Sequence, residues 1–452
     1  MILGAGLAFA TKICDRNKTP LNFPRLNIEI INTGSELMLG FVLNTHQQWL
    51  CRQLGDAGYE VSRQVAVPDT GPAIQQTVRE SLARADFIIV TGGLGPTSDD
   101  ITRDLIAALL GKRLRLDKGI LARLEAFFAE RGRPLPMNAK VQAMVPTGAL
   151  VLENPNGTAP GLAMRVTPNP FREQGGASWL VMLPGPPREL RPMFTNHVLP
   201  LLRKEFPLEA SFACRTLRTT GLGESLVEEA IAGPLKALVA DGLQIGYCAH
   251  SGHVDVRVAA LGERAATIIA EAETIVRGKL DNYIFGTQDE LLNGVVVRLL
   301  TERKQTLVLA ESCTGGYVAN QITDVSGASV IFRCGLVTYS NESKQNLLGV
   351  SAEILAKHGA VSRQTAAAMA TGARDRFQSD YALAITGIAG PTGGSAKKPV
   401  GTVFIALATA KRVFVIKRTN RYDRATFKHI TCQQALELLR RELVGIPLVT
   451  KA

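Results

Sequence analysis

The 452-residue chain has no Cys-x-x-Cys pair among its seven cysteines and no His-x-x-x-His or His-Glu-x-x-His spacing among its six histidines. An odd, unpaired cysteine set argues against a disulfide framework or a zinc site and fits reduced thiols in a cytosol. No stretch approaches the ~18 uninterrupted apolar residues of a membrane span. The apolar opening, Met1 to Ala10, lacks a positive leading region, and charges follow from Asp15 to Lys18. It reads as a disordered extension over 1–25 rather than a signal peptide. There is no low-complexity segment, short-period repeat, Walker A loop or Gly-x-Gly-x-x-Gly fingerprint.

What is present is the composition of a soluble α/β protein, 46% apolar and 20% charged, long enough for two to four domains. The net charge of +11 suits anionic ligands, but its lysines and arginines are scattered, as on an ordinary solvated surface. Residues 26–205 alternate strand and helix patterns, which predicts a mostly parallel sheet covered on both faces. Its strands are expected at Leu26–Asn32, Glu60–Val67, Phe87–Thr91, Gly161–Val166 and Trp179–Leu183. Residues 206–287 read β-α-β-β-α, a small α+β module with no catalytic constellation. Residues 288–452 alternate again, with strands expected at Thr306–Ala310, Val330–Tyr339, Tyr381–Thr386, Thr402–Ala408 and Val413–Lys417.

Chemistry concentrates in four glycine-bearing turns. Ala310-Glu311-Ser312-Cys313-Thr314-Gly315-Gly316 runs an apolar strand into a helix start. Ser312 there is either an N-cap or a hydroxyl presented beside free backbone N–H groups. A serine nucleophile needs a base, and Lys344 follows 32 residues on, at the end of the next strand, with Tyr339 just ahead of it. A Ser–Lys pair, its lysine desolvated, supports amide or ester hydrolysis. Cys313 is the rival nucleophile, but neighbours on a strand point to opposite faces. Thr386-Gly387-Ile388-Ala389-Gly390-Pro391 is a second turn, read as a tight bend or as close backbone approach to a phosphate. In the first region, Gly92-Gly93-Leu94-Gly95 precedes Asp99-Asp100, and Gly34 with Glu36 follows the first strand. The paired carboxylates either complement a helix dipole or hold a hard metal beside a phosphate cradle.

Taken in order, these motifs resemble the CinA (competence/damage-inducible protein) family from about Asn27 to the last helix. They are Thr91–Thr102 (TGGLGPTSDDIT), Leu183–Pro187 with Glu189, Ala310–Gly316 (AESCTGG), Val337–Lys344 (VTYSNESK), Thr386–Pro391 (TGIAGP) and Lys398–Val403 (KPVGTV). The resemblance implies a molybdopterin-binding-like doubly wound domain over 26–205, a KH-like α+β module over 206–287 and an α/β deamidase domain over 288–452. The last would hydrolyse nicotinamide mononucleotide (NMN) to nicotinate mononucleotide and ammonia without a cofactor. By motif, Ser312 would be the nucleophile, Lys344 its base and Tyr339 the assisting hydroxyl. Thr314, Gly315, Gly316, Thr386, Gly387, Gly390 and Arg424 would hold substrate.

The first domain would cleave ADP-ribose with a divalent metal (Mg, Mn or Co) on Asp99 and Asp100, its ligand cradled by Gly34, Glu36, Gly92, Gly93 and Gly95. Alternatively it would bind a pterin or nucleotide and only regulate; a DNA accessory role in competence or recombination is a further reading. A homodimer is implied, with neither membrane nor nucleic-acid partners. Three positions depart from the family pattern: His46 after Asn44-Thr45, Lys428 four residues after Arg424, and a KH-like module lacking Gly-x-x-Gly.

Overall fold

A computed structural model describes residues 26–173 and 175–448. The expected extension over 1–25 lies outside the described residues. The chain folds into two compact units. One runs to Phe212 and includes Leu261–Glu263; the other holds Ala213–Ala260 and continues from Arg264.

The first unit is built on a six-stranded sheet in the order Val61–Val67, Ile28–Thr33, Phe87–Thr91, Ser178–Leu183, Gly161–Val166, Leu150–Leu152. The first four strands are parallel, and the last two join antiparallel. Period-two alternation divides their apolar residues between two faces. Ile28, Ile30, Phe87 and Ile89 pack with Leu50, Leu54 and Leu190 on one side. Ile31, Ile88 and Val90 pack with Ile74, Val78, Leu82 and Ile106 on the other. Covered faces leave the carboxyl ends of the parallel strands as the place where loops meet a ligand.

The second unit carries two sheets. The smaller has the order Gln244–His250, His253–Leu261, Phe212–Thr220, Ile284–Thr287, backed by helices Glu224–Ala240 and Ala265–Leu280. Its fourth strand was not expected from the sequence; four residues ending in Gly286 and Thr287 are too short to show a period. That strand sends Phe285 into the core of the larger sheet. Arg440, buried and paired to Glu437, also donates to the carbonyls of Asn282 and Ile284. These contacts join the KH-like module to the last domain.

The larger sheet has the order Phe332–Val337, Leu307–Glu311, Tyr381–Gly387, Thr402–Ala408, Val413–Thr419, the first three parallel. Leu307 and Leu309 face helices Leu292–Arg303 and Arg424–Val444, while Val308 and Ala310 face Arg363–Phe377. One expectation is corrected. Lys344 does not end a strand. The strand stops at Val337, and Lys344 lies in the helix Asn341–Leu348, capped by the Ser340 hydroxyl, which accepts from the Ser343 N–H. The Ser-Asn-Glu-Ser run is a helix start, and cap chemistry outweighs the β-branched pattern before it.

The helix bearing Lys344 is set by a glycine. A Cβ at Gly372, inside Arg363–Phe377, would stand 1.7 Å from the carbonyl oxygen of Leu348, the last residue of the Lys344 helix. Backbone cannot give way as a side chain can. Gly372→Ala is therefore expected to lower stability by about 1–3 kcal/mol, seen as a lower urea midpoint with an unchanged slope.

Candidate active sites

Three parallel strands of the larger sheet bring Ser312, Thr338 and Ile388 to one edge. The Ser312 N–H donates to Ile385 O (2.9 Å) and the Thr338 N–H to Glu311 O (2.8 Å), so the turns are locked to one another. Ser312 is 8% exposed and Lys344 only 1%. Lys344 Nζ lies 3.2 Å from Ser312 Oγ, 2.8 Å from Thr338 O and 3.2 Å from Tyr339 O. Burial pushes the Lys344 pKa below the ordinary lysine value. A neutral amine has two N–H donors and one lone pair. In that form the two close carbonyls would match the donors and the lone pair would face the Ser312 hydroxyl; in the protonated form Nζ donates to Ser312 Oγ.

Cys313 packs in the apolar core below the turn, and burial pushes its thiol up to about 12. A thiol so placed stays protonated and is a poor nucleophile.

The turn is organised by Glu311, a residue the sequence reading passed over. Its buried carboxylate accepts from the N–H groups of Gly316 (3.0 Å), Val318 (3.1 Å) and Ala319 (2.8 Å), so a strand residue caps the next helix, Tyr317–Thr323. The signal was present as an acidic residue five positions before a glycine helix start. Spacing alone does not say that a chain reversal brings it back to that start. Gly315 and Gly316 take positive φ (60° and 87°) to make the reversal.

Their amides are not free for a substrate: Gly315 N–H donates to Ser312 O and Gly316 N–H to Glu311. Among the described residues, the amides of Cys313 and Thr314 meet no acceptor from another residue, and the buried Thr314 hydroxyl has no partner.

Other expected residues fall differently. The Tyr339 side chain is 61% exposed, and its hydroxyl accepts from Arg424 (3.1 Å), not from the Ser–Lys pair. Arg424 also donates to Gly390 O (2.9 Å), tying the Gly390 turn to the Tyr339 turn. The Thr386 hydroxyl donates to Ala360 O. Gly387 and Gly390 are required by packing, since a Cβ would meet Thr402 O at 2.7 Å or Val400 Cγ1 at 2.5 Å.

The first unit holds a cavity of about 370 Å³ at the carboxyl ends of its parallel strands. Gly34, Glu36, Gly92, Gly93, Gly95, Asp99 and Asp100 all line it. A Cβ at Gly92 would sit 2.6 Å from Thr33 O and one at Gly93 2.0 Å from Thr102 Oγ1, so these turns admit only glycine. The structure adds Asp69 and Glu189 to the wall. Asp69 accepts from the Ser35 N–H (2.8 Å), Glu189 from Asn154 (2.7 Å), and Asp100 from the Thr97 N–H (2.9 Å). The His46 ring contacts Gly185 O, and burial lowers its pKa, which keeps it neutral beside the cavity. Five carboxylates suit a hard cation, although no three converge on one ion's reach among the described residues. One or two carboxylates with waters and ligand phosphates is a Mg²⁺-type arrangement.

A third cluster lies in the KH-like module. His250, His253 and Asp255 bring their donor atoms within 4.8 Å. The imidazoles stack in near-parallel planes, 4.5 Å apart, so their lone pairs do not converge. Arg218 occupies the centre, 3.0 Å from Asp255 Oδ1 and 2.7 Å from His253 Nε2. It is an ion-pair network, and burial with Arg218 lowers the His253 pKa to about 4.

Comparison with known proteins finds three family models along the chain. The "CinA C-terminal domain" model matches 289–443, the "Probable molybdopterin binding domain" model 29–204, and the "Damage-inducible protein CinA KH domain" model 214–286. A competence-damage inducible protein of Caldicellulosiruptor bescii is 42% identical over 421 residues, covering 92% of this chain and 99% of its own. The chain belongs to the CinA family. A CinA-like protein of Akkermansia muciniphila is 41% identical, covering 91% of this chain and 96% of its own. Among solved structures, the competence/damage inducible protein CihA of Agrobacterium tumefaciens is 41% identical over 34% of this chain and 93% of its own, with a TM-score of 0.33. Among the described residues, no helix of this CinA-family chain is long and apolar enough to cross a membrane.

The Glu311 cap is expected to carry stability as well as shape. Glu311→Ala leaves three N–H groups without their acceptor and should cost about 2 kcal/mol or more. Glu311→Gln, which keeps one acceptor oxygen, should cost less; urea denaturation of both variants measures the difference.

Proposed function

We propose that the last domain is an amidohydrolase acting on the carboxamide of a pyridine nucleotide, NMN. The observation that carries this reading is the buried Lys344 Nζ at 3.2 Å from Ser312 Oγ, with two carbonyls positioned to hold its protons. Ser312 Oγ attacks the carboxamide carbon as its proton passes to Lys344. The carbonyl electron pair moves to oxygen, where the amides of Cys313 and Thr314, which no other described residue engages, would offer donors. The C–N bond then breaks, Lys344 returns the proton to the leaving nitrogen, and ammonia departs. Water, deprotonated by Lys344, attacks the acyl-serine; the bond to Ser312 Oγ breaks, Lys344 returns the proton to that oxygen, and nicotinate mononucleotide leaves.

Ser312→Ala and Lys344→Met are each expected to reduce ammonia release from NMN more than about 1,000-fold, with unchanged circular dichroism and undiminished wild-type turnover in a chelator. Retained turnover in Ser312→Ala would remove the assignment. The catalytic form is the neutral amine, so kcat/KM should rise with pH through the Lys344 pKa. Because burial lowers that pKa, the acid limb should lie below the range of free lysine.

A second activity is supported by the first unit's cavity, whose glycine turns face five carboxylates. A divalent metal held by Asp99 or its neighbours would neutralise a pyrophosphate, and Asp99 and Asp100 would position it for cleavage of ADP-ribose. Asp99→Ala combined with Asp100→Ala is expected to abolish metal-dependent AMP release and leave ammonia release intact. Ligand binding by calorimetry with no product from the wild type would instead make this domain a nucleotide or pterin sensor.

A further inference from the structure

A cleft of about 450 Å³ lies beside the Ser312 turn, lined by Ser251, Tyr317, Ala425, Thr426, Lys428 and His429. No carboxylate is in its wall. The nearest in sequence, Asp423, accepts from the N–H groups of Ala425 and Thr426 and from the Thr426 hydroxyl, so it serves the helix cap. Among the described residues, Lys428 has no acidic partner within ion-pair distance. Its Nζ stands 5.6 Å over the Tyr317 ring and would be 3.9 Å from a Cβ at Gly315, in the nucleophile turn itself.

The surroundings of this lysine are held in place from two directions. Ser251 O only accepts, so His429 Nε2, 3.0 Å away, carries the hydrogen. His429 Nδ1 lies 3.1 Å from the Tyr317 hydroxyl. The hairpin turn of the KH-like module thus fixes, through His429, the ring over which Lys428 sits. Arg424, one helical turn earlier on the same face, reaches Gly390 O and Tyr339 Oη on the Ser312 side. One cation is committed to closing the catalytic edge, and the other is left uncommitted toward the cleft.

We propose that this cleft is the phosphate subsite for the nucleotide whose carboxamide meets Ser312, with Lys428 as its charge anchor and the KH-like module as its outer wall. The inference rests on the amidohydrolase reading and assigns the module a role in substrate selection. A flexible ammonium suits a phosphate monoester dianion, which needs charge more than a planar fork.

The test uses the full chain carrying Ser312→Ala, titrated calorimetrically with NMN, with nicotinamide riboside and with inorganic phosphate. Adding Lys428→Met should weaken NMN binding about 10- to 100-fold, an ion-pair effect of the size expected for a charge-assisted contact, and leave the riboside unchanged. Lys428→Arg should restore most of the loss. Phosphate should compete with NMN only when residue 428 is cationic. Equal weakening of NMN and riboside, or no weakening of either, overturns the subsite. If the wild type binds phosphate through Lys428 yet releases no ammonia from NMN, the amidohydrolase reading fails and the anion site stands. If it releases ammonia with Lys428→Met at full efficiency, the subsite fails and the reading stands.

Discussion

The larger unit turns on the burial of one amine. Lys344 is almost completely shielded from water, and an unpaired buried ammonium costs several kcal/mol. The fold meets that cost with the carbonyls of Thr338, Tyr339 and, at 3.5 Å, Ser340, all in the turn that precedes the lysine's own helix. Carbonyl oxygens satisfy N–H donors without adding a negative charge that would hold the proton on. The lysine is therefore ordered without a counter-charge, 3.2 Å from the Ser312 hydroxyl.

Everything around the pair serves its position. The Ser312 turn is held by ladder bonds on both sides and by the Glu311 carboxylate, which draws the following helix back over the strand end. The same carboxylate decides which amides remain available, and they are those nearest Ser312. Gly372 lets the lysine helix approach the helix behind it, and Arg424 bridges the Tyr339 and Gly390 turns. The first unit uses the same geometry with different chemistry. Its glycines stand at parallel strand ends beside carboxylates, and among its described residues there is no comparable buried amine. Both arrangements follow from covering both faces of a parallel sheet, which leaves its carboxyl edge as the open place.

Much of this was readable residue by residue. Phe87–Thr91, Gly161–Val166 and Thr402–Ala408 stand as strands with the expected ends, because continuous apolar runs bounded by turn residues admit little else. The glycine turns and the Ser312–Lys344 candidates were visible because those residue types have few structural reasons to occur together. Helices Lys118–Ala129 and Leu292–Arg303 were missed, as were the Lys344 helix and the fourth strand of the KH-like module. These elements are short or weakly patterned, and their identity comes from packing partners distant in sequence.

Local chemistry determined the sheet strands, the turns, the absence of a long membrane span and the family to which the chain belongs, since each depends on residues within a few positions of one another. Tertiary structure alone decided that Glu311 caps a helix, that Thr386 bonds to Ala360, that Tyr339 turns its hydroxyl to Arg424 and that Lys428 faces a cleft shared with the KH-like module. Those outcomes depend on which donor meets which acceptor once the chain has reversed direction. A linear order of residues holds no record of those distances until the core has set them.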